Sequence, residues 1–229
     1  MSDELDARPG VRPRRAPIKP TRKVESELLA GPDRVVVGVD EVGRGAWAGP
    51  LTVGAAAVGA AELKRLPVGI RDSKALTSKQ REALYGPLTE TVRAYSLGHA
   101  SSAECDELGM SLALRLAAHR ALSRLRTAFD AVIVDGSFDF TGASARCVVR
   151  GDERCVLVAS ASIIAKVTRD EWMLDAAIDH PDYGFEHNKG YISAEHREAV
   201  ERFGFSPIHR RSWSVALAEA VVQPASFKL

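Results

Sequence analysis

From Val35 onward the chain alternates between short apolar runs and longer amphipathic stretches, and the two periods separate strands from helices. Val35–Asp40 is a β-branched run that ends in two acids, Asp40 and Glu41, and reads as a buried strand. Leu51–Val58, rich in small residues, reads as a second strand, reached through a loop that holds Gly43, Arg44, Gly45, Gly49 and Pro50. Tyr95–Ala100, Ala131–Asp135 and Arg146–Val149 predict three more, and Ala131–Asp135 again ends in an acid.

Helix signals fall between these runs. Thr77-x-x-Gln80 and Ser101-x-x-Glu104 are capping boxes, opening helices toward Arg93 and Leu125. Pro87 is expected to kink or divide the first. In the second, Leu112, Leu116, His119 and Leu122 fall near one face. Val156–Ile178 predicts a long helix with Ile163, Ile164 and Val167 on its apolar side. Ser193 caps another, and Val215–Val222 predicts a last one. Three hairpin-like strands followed by alternating helices and strands predict an α/β domain. Its mixed five-stranded sheet is flanked by helices, and a helical C-terminal extension begins near residue 180.

Residues 1–33 break the pattern. Arg8, Arg12, Arg14, Arg15, Lys19, Arg22 and Lys23 alternate with Pro9, Pro13, Pro17 and Pro20, with few apolar residues between them. Such a segment cannot offset its ordering entropy, so a disordered tail is expected ahead of one domain over residues 34–229. The alternative is a basic arm that adds non-specific attraction to phosphates.

Composition narrows the picture. A chain of 229 residues can bury a large core without disulfides or structural metal. A net charge of +1 neither supports nor excludes a nucleic-acid partner. Cys105, Cys147 and Cys155 are odd in number and lack C-x-x-C spacing, which disfavours a disulfide framework or cysteine zinc site and fits a cytoplasmic protein. No apolar stretch approaches the roughly 18 residues of a membrane span, so no membrane partner is expected.

The chemistry gathers at the strand ends. Asp40 and Asp135 each close an apolar strand, and acids so placed repel one another unless a cation lies between them. Oxygen donors of this kind suit Mg2+ or Mn2+. Each acid, read alone, could equally cap the turn after its strand. Asp152, ahead of the long helix, is a fourth candidate, or a charge favoured by that helix's dipole. Other constellations fail. The chain has no G-x-S-x-G elbow, no H-E-x-x-H pair and no phosphate-binding P-loop, and its six histidines are scattered. Asp170, inside the long helix, reads as structural, paired with a basic neighbour.

Several segments carry a resemblance. Val39-Asp40-Glu41-Val42-Gly43-Arg44-Gly45 closely resembles the signature of ribonuclease HII, the type 2 ribonuclease H family. Asp72-Ser73-Lys74, Val134-Asp135-Gly136, Gly151-Asp152 through Ala159–Asp170, Asn188-Lys189-Gly190-Tyr191 with His196, and Pro207–Ser212 match in the same order. The resemblance implies a ribonuclease H-like fold, and hydrolysis of RNA–DNA hybrids and of ribonucleotide-containing duplex DNA by a monomer. It implies a metal site made by Asp40, Glu41, Asp135 and Asp152. Gly43, Arg44 and Gly45 correspond to the loop that senses the 2′-hydroxyl, and Tyr191 to a tyrosine that packs on the next nucleotide. Lys74, Lys166, Lys189 and Arg210 are candidate phosphate contacts. Arg150, Cys155 and Ser160 depart from the family's usual lysine, serine and alanine. Two readings compete: a resolvase or transposase core, which also sets acids at strand ends, and a hybrid-binding module without catalysis.

Overall fold

The structure, a computed structural model, describes residues 19–212. Strands β1 (Val36–Val42), β2 (Leu51–Val58), β3 (Ala94–Ala100), β4 (Ala131–Asp135) and β5 (Arg146–Val148) form one sheet in the order β3-β2-β1-β4-β5. β1 runs antiparallel to β2 and β2 to β3, whereas β4 and β5 are parallel to β1. The mixed five-stranded sheet is therefore as expected. Side chains alternate across it. Val37, Val39, Leu51, Val53 and Val134 enter one core, and Val36, Ala56, Val58 and Ile133 the other.

Eight α-helices are described. They are α1 (Lys23–Leu28), α2 (Ala60–Arg65), α3 (Ser78–Thr91), α4 (Ser102–Arg124), α5 (Gly151–Arg154), α6 (Val156–Asp179), α7 (Phe185–Asn188) and α8 (Ala194–Phe203). α4 covers one face of the sheet and α6 the other, with α3 packed on α6. Both capping boxes form, with Gln80 N–H donating to Thr77 Oγ1 at 3.3 Å and Glu104 N–H to Ser101 Oγ at 3.1 Å. Ser193 Oγ caps α8 through His196 N–H at 3.0 Å. α3 runs through Pro87 as one helix, contrary to the expected break, and the kink falls instead in α4, at Gly109. Asp170 pairs with Lys166 at 2.6 Å and Arg81 at 3.8 Å.

The expected face of α4 is also corrected. Beyond Gly109 its buried residues are Ala113, Leu114, Ala117, Ala118 and Ala121, while Leu112 and His119 point to solvent. The cause is close approach. A Cβ at Gly98 in β3 would lie 2.0 Å from the Ala117 carbonyl oxygen, so only small side chains fit the seam. On the opposite face a Cβ at Gly38 in β1 would lie 2.5 Å from the Leu157 backbone, and α6 buries Ile163, Ile164 and Val167 as expected. Ser160 fits inside α6 by donating to the Val156 carbonyl at 2.7 Å.

The tail needs a larger correction. Its C-terminal part is folded: α1 docks on the domain, and Glu25 and Leu29 are buried. Thr21 forms a parallel bridge with Cys155, which explains how so polar a segment is held. At the other end α7 and α8 form a satellite core of Trp47, Met173, Tyr183, Phe185 and Val200. The expected helix at Val215–Val222 lies outside the described residues. Among those described, no helix is long and apolar enough to cross a membrane.

Candidate active site

The site is a product of strand register. β1 and β4 are parallel and pair Val39 with Val134, which brings Asp40 beside Asp135 one position on. Both follow the alternation of Val36 and Ile133, so both face α6. Asp152 arrives from α5, a single helical turn anchored where Gly151 N–H donates to Asp135 Oδ1 at 2.6 Å. Glu41, the next residue after Asp40, points to the other side of β1 by the same alternation, and Arg44 meets it at 3.6 Å.

These carboxylates are held against their own charge. Burial pushes the Asp40 carboxyl well above the usual range, with Glu41, Asp152 and Asp135 adding to it, while a hydrogen bond from Ser162 acts the other way. Asp152 is pushed up to about 6 by burial, then by Asp72 and Asp135, against the pull of Lys74. The Lys74 ammonium, 3.6 Å from Asp152 Oδ2, is lowered by burial, but Asp72, Asp40, Asp152 and Asp135 together hold it above its ordinary value. Ser162, which also bonds Ser73 at 2.8 Å, was not singled out from sequence, because a serine in a small-residue helix gives no signal of its own. Among the described residues no three acids, histidines or cysteines are already gathered as ligands around one point. The donor set nevertheless fits a hard divalent cation in kind, since Asp40, Asp135 and Asp152 are crowded oxygen donors beside the single ammonium of Lys74, and Glu41 adds a fourth carboxylate that meets Arg44. A cavity of about 490 Å3 bordered by Pro50, His99, Trp172 and Ile208 contains none of the four acids. Asp40 and Asp152 are themselves buried, at 3% and 6% exposure.

The loop after β1 is built by its neighbours. Gly43 has φ +83°, and a Cβ there would lie 2.2 Å from Arg169 Nε, so only glycine fits. Its N–H donates to Tyr191 Oη at 3.1 Å. Arg44 and Gly45 are exposed, and a Cβ at Gly45 would meet nothing within 4 Å. Fully buried Arg169 donates to the carbonyls of Ala48, Pro50 and Lys189 at 2.9–3.0 Å. Arg210 does the same for Gly49 and Arg44 at 2.9 and 3.1 Å. Arg210 is only 1% exposed, which corrects its expected phosphate contact: the guanidinium is consumed by the loop's backbone. Lys166 is likewise turned inward, paired with Asp170 and 5.6 Å from the centre of the Tyr191 ring. Lys189 donates to the Glu186 carbonyl, and Lys74 stays exposed. Arg169 was missed because a buried arginine inside a helix is indistinguishable in sequence from a surface one.

Tyr191 is held from behind by two buried histidines. His196 Nδ1 lies 2.9 Å from the Tyr191 carbonyl oxygen, and its Nε2 lies 2.9 Å from His209 Nε2. Ser206 N–H donates to His209 Nδ1 at 3.0 Å. The carbonyl only accepts and the Ser206 amide only donates, so one pattern satisfies every partner. His196 carries its proton on Nδ1 and His209 on Nε2, both neutral. Burial, then the neighbouring His196, pulls His209 down to about 4. The two histidines stand 13 residues apart, and neither spacing nor composition marked them as a pair.

Known proteins share this arrangement of elements. The profile of the family described as Ribonuclease HII matches residues 37–216. Ribonuclease HII of Streptomyces coelicolor is 51% identical over 198 residues, covering 85% of this chain and 84% of its own. That of Paracoccus denitrificans is 43% identical over 203 residues, covering 85% and 92%. The crystal structure of the ribonuclease H2 from Pyrococcus horikoshii OT3 matches with a TM-score of 0.69 at 32% identity, over 80% of this chain and 96% of that one. Bst-RNase HIII in complex with Mn2+ shares the fold, with a TM-score of 0.64 at 21% identity, over 82% and 70%. A profile spanning most of the chain, and relatives half identical along it, make this chain a member of the ribonuclease HII family, a ribonuclease H.

Proposed function

We propose that this ribonuclease H hydrolyses the RNA strand of RNA–DNA hybrids. It also incises on the 5′ side of single ribonucleotides in duplex DNA, leaving 3′-hydroxyl and 5′-phosphate ends. The observation that carries the reading is the parallel register that sets Asp40 beside Asp135, with the turn that bears Asp152 tied to Asp135 through Gly151 N–H at 2.6 Å. Asp40, Glu41, Asp135 and Asp152 would hold two divalent cations, and the Mn2+ complex of a protein with this fold supports Mg2+ or Mn2+. Bound there, such ions neutralise the scissile phosphate and activate the attacking water.

The chain's own residues supply selection. The backbone of Gly43, Arg44 and Gly45 reads the 2′-hydroxyl, the one group that separates RNA from DNA at the cut. The open space at Gly45 lets a sugar come close. Exposed Arg44 and Lys74, with half-buried Lys189, attract phosphates. Tyr191 presents its ring to the following nucleotide, while Lys166, Arg169 and Arg210 hold that ring and the loop from behind. One chain provides every group, so a monomer suffices, and the unpaired thiols suit a cytoplasmic role in ribonucleotide removal.

The test is duplex DNA carrying one ribonucleotide, incubated with Mg2+, Mn2+ or a chelator. Cleavage at the ribonucleotide only with metal is expected. Cleavage of branched DNA instead would favour a resolvase, and metal-dependent binding without cutting would favour a non-catalytic module. Products ending in a 2′,3′-cyclic phosphate would overturn attack by water.

A further inference from the structure

We infer that Glu25 is a positioning residue for Asp152, acting from the N-terminal arm through the start of α6. The inference rests on the reading of Asp152 as a member of the acidic site.

Asp152 is carried by α5, a turn of only four residues, Gly151–Arg154. So short a helix has no cooperative stability of its own. Its front is pinned to Asp135 by Gly151 N–H. Its back is pinned by the arm, where Thr21 N–H donates to the Arg154 carbonyl at 3.0 Å and Val156 N–H donates to the Thr21 carbonyl at 3.1 Å. α6 follows at once, and its N-cap residue, Cys155, offers no side-chain hydrogen bond to the helix. The first amides of a helix need acceptors. Here they come from 130 residues upstream: Glu25 Oε1 accepts from Leu157 N–H at 2.8 Å, across a separation of 132. Glu25 is 0% exposed, and its second oxygen has no partner among the described residues. Burying a carboxylate in an otherwise apolar cluster, on a short amphipathic helix, is costly. What the burial achieves is a cap that locks α6 in register, and with it the turn bearing Asp152.

The test uses the full chain and four variants: Glu25→Ala, Glu25→Gln, Leu88→Ala and Asp152→Asn. Leu88 is buried in α3, in the core that the arm also packs on, and has neither the carboxylate nor the bond to Leu157, so it serves as a control for lost stability alone. Amide exchange is measured on metal-free protein, Mn2+ binding by calorimetry, and kcat and KM on a continuous hybrid. For Glu25→Ala, exchange should accelerate across residues 151–157. Mn2+ binding should weaken, and kcat should fall by about ten- to a hundredfold with little change in KM, the scale expected when a reacting group is misplaced by an ångström. Glu25→Gln keeps the acceptor for Leu157 and should stay near wild type. Leu88→Ala should lower the melting temperature without touching kcat or that segment's exchange. Wild-type kcat and Mn2+ binding in Glu25→Ala would overturn the inference, as would an equal kcat loss in Leu88→Ala. Full activity in Asp152→Asn would instead overturn the reading of the site beneath it. If Glu25→Ala does not fold, Thr21→Pro, which removes the amide donation to Arg154 together with the hydroxyl contacts to the Arg154 carbonyl and the Lys23 amide, must show the same local exchange and kcat pattern or the inference fails.

Discussion

Asp40 keeps a carboxylate where burial and three neighbouring acids oppose its ionisation. A group so placed destabilises the ligand-free fold when charged. Asp40→Asn should therefore abolish cleavage and raise the melting temperature without metal. A gain of about 1 kcal/mol corresponds to about 2–4 °C in a domain of this size. Added Mn2+ should stabilise the wild type, by about 2.7 kcal/mol at a hundred times its dissociation constant, and leave the variant unmoved. Equal stabilisation of both would remove Asp40 from the metal site. The role proposed for Tyr191 is of a different kind, through its ring. Tyr191→Ala should lose about ten- to a hundredfold in rate on a single embedded ribonucleotide, and less on a continuous hybrid, where further contacts compensate. Parallel loss on both substrates, read as cleavage rates, would assign the residue to binding alone.

Beside α8, the buried His209 couples stability to protonation. His209 titrates at about 4 when folded against an ordinary 6.5, so between those values the unfolded chain binds more protons. Its contribution is present above pH 6.5 and is lost as pH falls toward 4. The loss between about pH 7 and pH 5 should be about 2 kcal/mol. Denaturant titrations at the two values, compared with His209→Gln, isolate it, and identical pH slopes would sink the assignment. The strands could be read from sequence to within a residue or so, because β-branched runs ending at Asp40 and Asp135 admit few alternatives. Asp40 and Asp135 stood out for the same reason, as charges that close apolar runs, and the strand register sets them side by side. The face of α4 was not, since period arguments favour leucine over alanine, whereas a seam against Gly98 selects alanine. Nor was Arg210 legible as an internal brace: nothing in a basic loop motif says whether its guanidinium faces a phosphate or a carbonyl. The histidine pair, Arg169 and Glu25 share this difficulty, because their roles exist only once distant segments meet.

For the molecule as a whole, the arm changes what truncation should do. Deleting residues 1–30 removes α1, buried Leu29 and the acceptor for Leu157. Loss of a buried leucine alone typically costs about 2–5 kcal/mol. The melting temperature should fall by more than about 5 °C, and an unchanged value would mean that the arm does not pack in solution. The same long-range ties bear on the order in which the chain matures. The bond from Gly43 to Tyr191 spans 148 positions, those of Arg210 to the glycine loop span 161 and 166, and that of Leu157 to Glu25 spans 132. Contacts this distant form late and slowly, after local helices and hairpins. During synthesis the glycine loop therefore waits for Tyr191 and Arg210 to emerge before it can close. In refolding, nuclease activity should recover after helical content does, so that catalysis reports the completion of folding and not merely its onset.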